Sequence, residues 1–519
     1  MDDTLTIGRY NAAQDLIERN LAAGRADKIA YIDDDGSYTY GELAARVRRF
    51  ASALRQAGIA PEQRILLCLE DSINFPTAFL GALWAGVIPV PVNTLLTSDD
   101  YAYMLAHARA RAVFVDSTLY ETVATAANPL GIAIITPGGR GASAFEKFIA
   151  EDTPPTQPYH SNAHDIAFWL YSSGSTGRPK GAVHVHGSLN FTAEKFARSV
   201  LGLRGDDTVY SASKLFFAYG LGNGLTFPLS VGATTVLTRR RPTADTVFDI
   251  LKRHRATVFY GVPTLFAAML ASEAAPRPDE LCVRVCTSAG EGLPHHIGES
   301  WTQTFGSEIL DGIGSTEMLH IFLSNRPGAV RYGTTGLPVD GYELKLVDES
   351  GAPVGPGELG DLWVRGPSSA LMYWADRRRS DHTFQDGWTR TGDKYSRDAD
   401  GYYVYGGRSD DMLKVGGIYV SPFEVESALV SHPLVLEAAV IGAPDERGLI
   451  KPKAYAVLRQ SCAGEEADRI RETLRAHVKS MIAPFKSPRW IEFVEELPKT
   501  ATGKVQRYRL RELIKPTPH

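Results

Sequence analysis

Residues 165–184, DIAFWLYSSGSTGRPKGAVH, are the stretch that says most about the fold. An apolar run typical of a buried strand passes directly into a loop of serine, threonine and glycine that contains one lysine, Lys180. Small residues let backbone N–H groups converge on an anion, hydroxyls add donors, and the lysine adds a mobile positive charge. The stretch therefore predicts a phosphate-binding loop. It is not a P-loop, because Gly-Arg-Pro-Lys-Gly stands where that pattern requires Gly-Lys-Ser/Thr.

Outward from this stretch, helix-patterned segments alternate with short runs rich in valine, isoleucine and alanine. The pattern predicts an α/β protein with parallel sheets covered by helices. The runs that carry it are RILLCL (64–69), RAVFVD (111–116), ATTVLT (233–238), ATVFYG (256–261) and VRVCTS (283–288).

Further along the chain, the pattern changes twice. Short alternating strands and glycine turns at about 340–409 predict a small antiparallel β subdomain. From Pro422 onward, helix, strand, strand and helix follow one another as a compact α+β unit of about a hundred residues. We place the domain boundary in GGRSDDMLKVGG (406–417), which gives a large N-terminal domain (1–409) and a small, mobile C-terminal domain (410–519).

The composition narrows the class of protein. The chain has 519 residues, 44% of them hydrophobic, and a net charge of -5, which excludes a disordered or fibrous chain. There is no concentrated basic tract, so nucleic acid is not an expected partner. Four cysteines without zinc spacing favour a reducing compartment. The uncharged stretch 72–98 is interrupted by Pro76, Pro89 and Pro91, which predicts a core helix at about 75–85 and a strand, not a membrane span. We expect a cytoplasmic protein.

YSSGSTGRPKG resembles the signature loop of the adenylate-forming enzymes, the superfamily of acyl-CoA synthetases, luciferases and peptide-synthetase adenylation domains. Five more stretches resemble motifs of this family in the same order: SAGEGLP (288–294), DGIGSTEM (311–318), TGD (391–393), GRSDDMLKVGG (407–417) and PKTATGKVQR (498–507). The resemblance covers nearly the whole chain. It implies activation of a carboxylic acid by ATP with Mg²⁺, followed by thioester formation with coenzyme A as co-substrate.

The resemblance also assigns roles at the phosphates. Lys180 and the loop would grip the β- and γ-phosphates, Thr316 would hydrogen-bond the α-phosphate, and Glu317 would help to hold Mg²⁺. Thr316 and Glu317 could equally serve as a helix cap and a first-turn acid, and both roles are compatible. The loop residues are Ser172, Ser173, Gly174, Ser175, Thr176 and Gly177.

The same resemblance places the nucleoside. The backbone around Gly290 and Glu291, together with Asp311 and Gly312, would frame adenine. Asp393 would accept hydrogen bonds from the ribose hydroxyls and Arg408 would support the ribose, although an isolated TGD is usually only a turn.

Lys504 on local sequence alone is an ordinary surface lysine. Its family position implies that it enters the active site and bridges the substrate carboxylate and the α-phosphate, which makes it catalytic together with Thr316, Glu317 and Lys180. The family rotates its C-terminal domain about a hinge, here Asp410, to admit coenzyme A. Lys414, Gly416 and Gly417 would then line the tunnel, although Gly416-Gly417 could also be a plain hairpin turn.

Three stretches resemble the benzoate-CoA ligase subgroup: LFFAYGLGNGLTFPLSVGATTVL (215–237), TVFYGVPT (257–264) and STEMLHIFLSN (315–325). The alternative for their aromatic and histidine residues is plain core packing. Benzoate is the leading substrate, and residues 263–267 depart from the subgroup and leave hydroxy- and aminobenzoates open. The residues that would wall the acyl pocket are Ala218, Tyr219, Gly220, Tyr260, His320 and Ile321.

The sequence is compatible with two other functions. An adenylation enzyme could load its aryl group onto a carrier protein instead of coenzyme A. A nucleotide sensor or membrane-associated uptake protein could keep the fold without the chemistry, which the presence of Lys504, Glu317 and Lys180 disfavours. The expected partners are small molecules, namely an aryl acid, ATP and coenzyme A; no membrane partner is expected, and a homodimer is compatible with the resemblance.

Overall fold

The computed structural model describes residues 8–135, 144–150, 155–174, 177–415, 418–446, 449–460, 462–499 and 505–514. Several helices begin where the sequence supplies a cap. Thr39 and Thr97 each form a capping box with the acidic residue three positions later, which satisfies backbone donors at the start of a helix. The helices are α1 (Ala12–Ala22), α2 (Tyr40–Gln56), α3 (Asn74–Ala85), α4 (Ser98–Ala108), α5 (Tyr120–Ala127), α6 (Ala144–Phe148), α7 (His186–Thr192), α8 (Ala218–Leu221), α9 (Phe227–Val231), α10 (Ala244–Arg253), α11 (Pro263–Leu270), α12 (His295–Phe305), α13 (Arg377–Thr383), α14 (Pro422–Val430), α15 (Glu465–Met481) and α16 (Arg507–Glu512).

Most strands are short and rich in β-branched and aromatic residues, which suit a pleated surface. They are β1 (Ile29–Ile32), β2 (Ser37–Thr39), β3 (Arg64–Cys68), β4 (Ile88–Pro91), β5 (Ala110–Val115), β6 (Ala133–Ile135), β7 (Ile166–Gly174), β8 (Gly177–Val185), β9 (Thr208–Ser211), β10 (Thr234–Val236), β11 (Val258–Gly261), β12 (Val285–Ser288), β13 (Glu308–Gly314), β14 (Ile321–Ser324), β15 (Leu337–Pro338), β16 (Glu343–Val347), β17 (Gly360–Arg365), β18 (Met372–Tyr373), β19 (Phe384–Gln385), β20 (Trp388–Arg397), β21 (Tyr403–Arg408), β22 (Leu413–Val415), β23 (Ile418–Val420), β24 (Val435–Pro444), β25 (Ile450–Leu458) and β26 (Trp490–Phe493).

Two sheets confirm the predicted α/β class. A nine-stranded sheet has the order β15-β14-β13-β12-β11-β9-β10-β1-β2, and its central strands from β13 to β1 run parallel. A second, all-parallel sheet has the order β4-β3-β5-β6. The central strands are buried along most of their length, as their continuous apolar runs require when helices cover both faces.

The uncharged stretch 72–98 forms α3 and then β4, as predicted. Helix α3 is buried on all sides and ends at Gly86, which adopts the left-handed conformation with φ of 76°. Glycine reaches this conformation without steric cost, so it stops the helix before the strand begins. Within the described ranges, no helix is both long and apolar enough to cross a membrane.

Residues 165–184 differ from the prediction in one respect. Strand β7 is followed by a second strand, β8, and the two pair as an antiparallel hairpin that places Ser172 opposite Lys180. The expected phosphate-binding loop is therefore short, and its lysine lies on a strand. Strand β18 pairs with the other edge of β8 and places Tyr373 beside Ala182.

The later part of the chain follows the predicted change of pattern. Strands β16, β17, β20, β19 and β21 form an antiparallel sheet within residues 343–408. Beyond it, β24, β25 and β26 form a sheet against which α14 and α15 pack through an apolar core that includes Val425, Leu429 and Leu474. Strands β22 and β23 pair antiparallel, with Val415 opposite Ile418. The α/β class with a small α+β C-terminal region is thus confirmed.

Candidate active site

Several of the predicted nucleotide and acyl residues lie at or just after the carboxyl ends of neighbouring strands of the nine-stranded sheet. Tyr260 lies near the end of β11, Gly290 and Glu291 follow the end of β12, and Asp311 lies in β13. The register pairs Ser288 with Asp311 across β12 and β13. Because carboxyl ends of parallel strands align, this edge is the usual position of a ligand site in such sheets.

A polar cluster lies where β8, β18 and the turn after β13 come together. We define it as Ser172, Lys180, Thr316, Glu317 and Tyr373. The Lys180 ammonium donates to the Tyr373 hydroxyl over 2.9 Å, and that hydroxyl donates to Glu317 Oε1 over 2.7 Å. The Ser172 hydroxyl donates to the same oxygen over 3.1 Å, and Lys180 Nζ lies 3.7 Å from it. These contacts bring together three of the four predicted phosphate and metal residues in the cluster, namely Ser172, Lys180 and Glu317.

The charge of Glu317 is stabilised inside this cluster. Burial alone would raise the pKa of its carboxyl, but the Lys180 charge and the Tyr373 and Ser172 hydrogen bonds outweigh burial and lower the pKa. Among the described residues, no group of three or more His, Cys, Asp or Glu could hold a metal ion by itself. A Mg²⁺ ion at Glu317 would take its other ligands from phosphates and water, which suits its preference for few protein ligands.

Thr316 is positioned through its backbone. His184 lies on β8, and its Nε2–H donates to the Thr316 carbonyl oxygen over 2.8 Å. Burial lowers the pKa of His184 to about 4, so the ring is neutral at neutral pH. Lys180 and His184 project from the same face of β8, since residues four apart on a strand share a face. Strand β8 thus carries Lys180 and also holds the Thr316 backbone through His184.

The two predicted ribose residues are direct neighbours. Asp393 on β20 lies opposite Arg408 on β21, and Arg408 Nη1 donates to Asp393 Oδ1 over 3.2 Å. Arg408 Nε also reaches Asp410 Oδ1 at 3.4 Å. Gly392 adopts φ of 75°, and a Cβ there would lie 2.9 Å from the Arg408 guanidinium, so glycine is required beside this pair.

On the adenine side, the structure links the nucleotide and acyl predictions. Asp311 is buried, and burial raises the pKa of its carboxyl well above the usual range. A Cβ on Gly312 would lie 3.0 Å from Ile321, a predicted acyl-pocket residue. Gly290 adopts a left-handed backbone with φ of 98°, and Glu291 is half-buried. The frame predicted for adenine therefore directly adjoins the acyl side at Gly312.

The predicted acyl pocket is an aromatic cluster. The ring centroid of Tyr219 lies 6.3 Å from that of Tyr260 and 5.4 Å from that of His320. Phe227 packs edge-on against His320 with a centroid distance of 4.4 Å. Ile321 is buried beside them, and Ala218 begins α8. These residues form flat apolar walls of the kind that suit a small aromatic ring.

Polar contacts hold these walls. The Tyr219 and Thr287 hydroxyls share a hydrogen bond of 2.5 Å, and His320 Nε2–H donates to Asn223 Oδ1 over 3.1 Å. Burial lowers the pKa of His320 to about 3, so the imidazole is neutral. The Tyr260 hydroxyl is buried and finds no hydrogen-bond partner among the described residues.

Two glycines shape the same walls. A Cβ on Gly220 would overlap the Lys214 carbonyl oxygen, and a Cβ on Gly222 would overlap the His320 ring. Glycine at these positions lets the backbone of α8 and the following π-helical segment, Gly222–Thr226, approach the pocket closely.

Several predicted residues cannot be placed. Lys504, Ser175, Thr176, Gly416 and Gly417 lie outside the described residues, and only the backbone is described for Ser173, Gly174, Gly177 and Lys414. Asp410 lies in the exposed turn after β21.

Sequence patterns did not identify five side chains that the structure places at the site: Tyr373, His184, Asn223, Thr287 and Phe227. The alternation of side chains along β8 was a signal for His184 once that strand was recognised. The others contact their partners across long stretches of chain, and nothing local distinguishes them.

Comparison with known proteins agrees with this geometry. The profile described as "AMP-binding enzyme" matches residues 18–374, and the profile "AMP-binding enzyme C-terminal domain" matches residues 424–504. The chain belongs to the AMP-binding enzyme family.

Individual relatives are similar over nearly their whole length. The chain is 56% identical to a benzoate–CoA ligase of Thauera aromatica, covering 97% of this chain and 96% of that protein. It is 50% identical to a 4-hydroxybenzoate–CoA/benzoate–CoA ligase of Rhodopseudomonas palustris, covering 97% and 94%. A crystal structure of a benzoate CoA ligase from Burkholderia xenovorans superposes with a TM-score of 0.91 at 56% identity, covering 97% and 100% of the two chains.

Proposed function

We propose that this protein is an AMP-forming benzoate–CoA ligase. It converts benzoate and ATP to benzoyl-adenylate and pyrophosphate, and then converts benzoyl-adenylate and coenzyme A to benzoyl-CoA and AMP. The observation that carries the proposal is 56% identity over 97% of the chain to a benzoate–CoA ligase. The segment between β13 and β14 contributes Glu317 to the lysine–carboxylate cluster and His320 to the aromatic cluster.

In the first step, a benzoate oxygen attacks the α-phosphorus of ATP while the bond to the pyrophosphate oxygen breaks. Lys180 and the hydroxyl and backbone N–H groups of residues 172–177 would bind the β- and γ-phosphates, and Thr316 would bind the α-phosphate. Mg²⁺, when bound at Glu317, supplies charge that stabilises the phosphates and the leaving pyrophosphate. The lowered pKa of Glu317 supports this role, because a hard cation prefers a charged carboxylate.

The nucleoside would lie along the sheet edge beside this cluster. Gly290, Glu291, Asp311 and Gly312 would frame adenine, and Asp393 with Arg408 would hold the ribose. The direct contact between Asp393 and Arg408 supports a joint role. Lys504 would neutralise the negative charge between the benzoate carboxylate and the α-phosphate, since two anions must approach each other there.

In the second step, the thiol of coenzyme A attacks the acyl carbonyl and AMP leaves. Rotation of residues 410–519 about Asp410 would withdraw Lys504 and bring Lys414, Gly416 and Gly417 to the tunnel. Hydrogen bonds on the two sides of Asp410 support a hinge there. Ser409 is tied to the β subdomain through Gly392 and Asp361, over 2.9 Å and 2.8 Å.

On the other side of Asp410, the chain is tied to the C-terminal region. Asp411 pairs with Arg511 over 2.7 Å and with Arg507 over 3.4 Å. The side chain of Asp410 itself is 44% exposed. The Asp411 N–H still donates to the Arg408 carbonyl over 3.2 Å, so it is the side chains of residues 409 and 411 that contact different regions. One exposed residue lies between these two sets of side-chain contacts, which supports a hinge at Asp410.

Benzoate selection would rest on Ala218, Tyr219, Gly220, Tyr260, His320 and Ile321. A second candidate function is activation of hydroxy- or aminobenzoates. The buried Tyr260 hydroxyl, without a partner among the described residues, could hydrogen-bond a ring substituent. Similarity to a 4-hydroxybenzoate–CoA/benzoate–CoA ligase also favours this candidate.

A product assay tests the proposal. Purified protein is given ATP, Mg²⁺, coenzyme A and one acid at a time from a panel of benzoate, hydroxybenzoates, aminobenzoates and hexanoate. We expect AMP and aryl-CoA in equal amounts, with the highest kcat/KM for benzoate. Release of ADP, or a preference for hexanoate, would contradict the proposal, and AMP without thioester until a carrier protein is added would favour the carrier-loading alternative.

We place the reaction in the cytoplasm, where thiols stay reduced, because all four cysteines of this chain are free. A homodimer belongs to the same proposal and rests on the family resemblance alone. Sedimentation of the purified protein at several concentrations tests it, and a mass of a single chain throughout would contradict it.

A further inference from the structure

Tyr373 occupies the middle of the polar cluster. Its hydroxyl accepts from Lys180 and donates to Glu317 Oε1, over 2.9 Å and 2.7 Å, while the direct Lys180–Glu317 separation is 3.7 Å. A separation of 3.7 Å is longer than a normal hydrogen bond between these groups. The lysine and the carboxylate therefore contact each other through the tyrosine hydroxyl rather than directly.

The ring of Tyr373 adds a second contact with the lysine. Lys180 Nζ lies 4.3 Å from the ring centroid, within the range of a cation–π interaction. The ring itself is fixed, because Tyr373 is 2% exposed and packs against Phe384 with a centroid distance of 5.2 Å. The hydroxyl thus projects from a buried, immobile ring.

The backbone around Tyr373 is tied to the same two neighbours. The Trp374 N–H donates to the Gly181 carbonyl over 2.8 Å, next to Lys180, and the Ala370 N–H donates to the Glu317 carbonyl over 2.7 Å. The segment 370–374 therefore connects the strand that carries the lysine to the turn that carries the carboxylate, through both backbone and side chain.

Adenylate formation needs the lysine and the carboxylate apart. The phosphates must reach Lys180 and the metal ion must reach Glu317, so a direct hydrogen bond between the two would have to be broken each time MgATP binds. A hydroxyl between them keeps both charges while it satisfies one donor and one acceptor. Tyr373 and Ser172 both donate to Oε1, so Oε2 is the oxygen that we expect a cation to meet.

We propose that Tyr373 is a positioning residue for MgATP, which holds Lys180 and Glu317 at a fixed separation and prevents a direct hydrogen bond between them. The proposal rests on the function proposed above. Tyr373 takes no part in the chemical step, because the partners of its hydroxyl are protein groups. The hydroxyl instead affects the binding of ATP and Mg²⁺.

Tyr373→Phe tests the role of the hydroxyl, since it keeps the packed ring. ATP–pyrophosphate exchange in the presence of benzoate is measured against ATP and, separately, against free Mg²⁺. We expect the KM for ATP and the half-saturating Mg²⁺ concentration to rise about tenfold, within the range for loss of a hydrogen bond to a charged group. The KM for benzoate should change less than twofold.

Tyr40→Phe is the matched control. Its hydroxyl is also buried and donates to the Ala233 carbonyl over 2.6 Å, outside the polar cluster. It should lower thermal stability without altering the ATP or Mg²⁺ dependence. If Tyr373→Phe resembles this control, or lowers the rate equally for every substrate together with its melting temperature, Tyr373 is only structural and the proposal is overturned.

A double-mutant cycle provides a readout that packing would not change. In a Glu317→Gln background, the further effect of Tyr373→Phe on the KM for ATP should shrink to less than threefold, because its charged acceptor is already gone. Independent, multiplying effects would overturn the proposal. Wild-type protein without benzoate-dependent exchange would instead overturn the proposed function, so the two failures are distinguishable.

Discussion

The polar cluster and the acyl pocket both include residues from the segment between β13 and β14 but are built in different ways. In the polar cluster, the half-buried Lys180 and Glu317 side chains are hydrogen-bonded to the hydroxyl of the buried Tyr373. In the acyl pocket, packed rings and close-approaching glycines form the walls, and the one histidine, His320, is kept neutral by burial.

This difference separates two tasks. Phosphate chemistry is common to every acid the enzyme activates, and it depends on charge. Selection of the acid depends on shape, for which packing is the physical determinant. Substitutions in the polar cluster should therefore lower the rate for all acids alike, whereas substitutions in the pocket should change which acid is preferred.

The largest effect is expected for a residue that belongs to neither region. Lys504→Ala should lower benzoyl-adenylate formation about 10³-fold, the upper range for loss of one group that stabilises developing charge. Thioester formation from supplied benzoyl-adenylate should persist. Both half-reactions are followed by rapid quench and chromatography.

Lys499→Ala is the control for this change, because Lys499 lies in the same motif but pairs with Glu437 over 2.6 Å. It should leave both half-reactions close to wild type. An equal loss of both half-reactions in Lys504→Ala would contradict a role for this lysine in adenylate formation alone.

Glu317→Gln should lower kcat/KM about 10²-fold for benzoate and for 4-hydroxybenzoate alike, because it removes the charge that binds Mg²⁺ while it keeps the shape. The ratio of kcat/KM for the two acids is the decisive quantity. We expect it to stay within twofold of wild type, and a fivefold shift would mean that the two regions are not separable.

Gly222→Ala tests the acyl pocket. The added methyl would overlap the His320 ring, which must move within the pocket. We expect the ratio of kcat/KM for benzoate and 4-hydroxybenzoate to change about tenfold, in keeping with the small energies of pocket shape. The KM for ATP should not change. Gly36→Ala, at a position with open space around its Cβ, is the control that should alter neither quantity.

The smallest expected effect concerns stability. Burial lowers the pKa of His186 to about 4, as it does for His184. Each of these histidines binds a proton near pH 6.5 in the unfolded chain but only near pH 4 in the folded protein. The free energy of unfolding therefore falls as the pH drops from about 6.5 towards 4, by about 1.4 kcal/mol per pH unit for each such histidine.

His186→Asn should remove the pH-dependent loss of stability that this histidine causes. The hydrogen bond is kept, because the asparagine Oδ1 can replace Nδ1 as acceptor for the Ala12 N–H. The loss of unfolding free energy between pH 6 and pH 5, measured with urea, should shrink by about 1 kcal/mol. His160→Asn, at an exposed position, should leave it unchanged. An unaltered pH dependence in His186→Asn would contradict the assignment.

Much of the fold could be predicted from sequence, because continuous apolar runs and proline or glycine breaks report burial and turns directly. Strands β3, β5 and β11 and helix α3 lie where their patterns place them. The hairpin of β7 and β8 was not predicted, since Gly-Arg-Pro-Lys-Gly has the composition of a loop and becomes a strand only by pairing with both neighbours.

The residues of the site likewise include some that the sequence predicts and some that it does not. Lys180 and Glu317 stand in motifs whose local chemistry suggests phosphate and metal, and the structure brings them together. Tyr373 could not be predicted, because it meets Lys180 across 193 residues and its own surroundings resemble an ordinary core segment. His320 was predicted, but its partner Asn223 lies 97 residues away and depends on the π-helical segment for its position.

Isotope exchange between ATP and labelled pyrophosphate, with benzoate and Mg²⁺ present and coenzyme A absent, tests the central claim most directly. We expect rapid exchange that depends on benzoate, because adenylate formation is a separate, reversible step that precedes entry of the thiol. Exchange that needs coenzyme A, or that proceeds equally well without any acid, would contradict it.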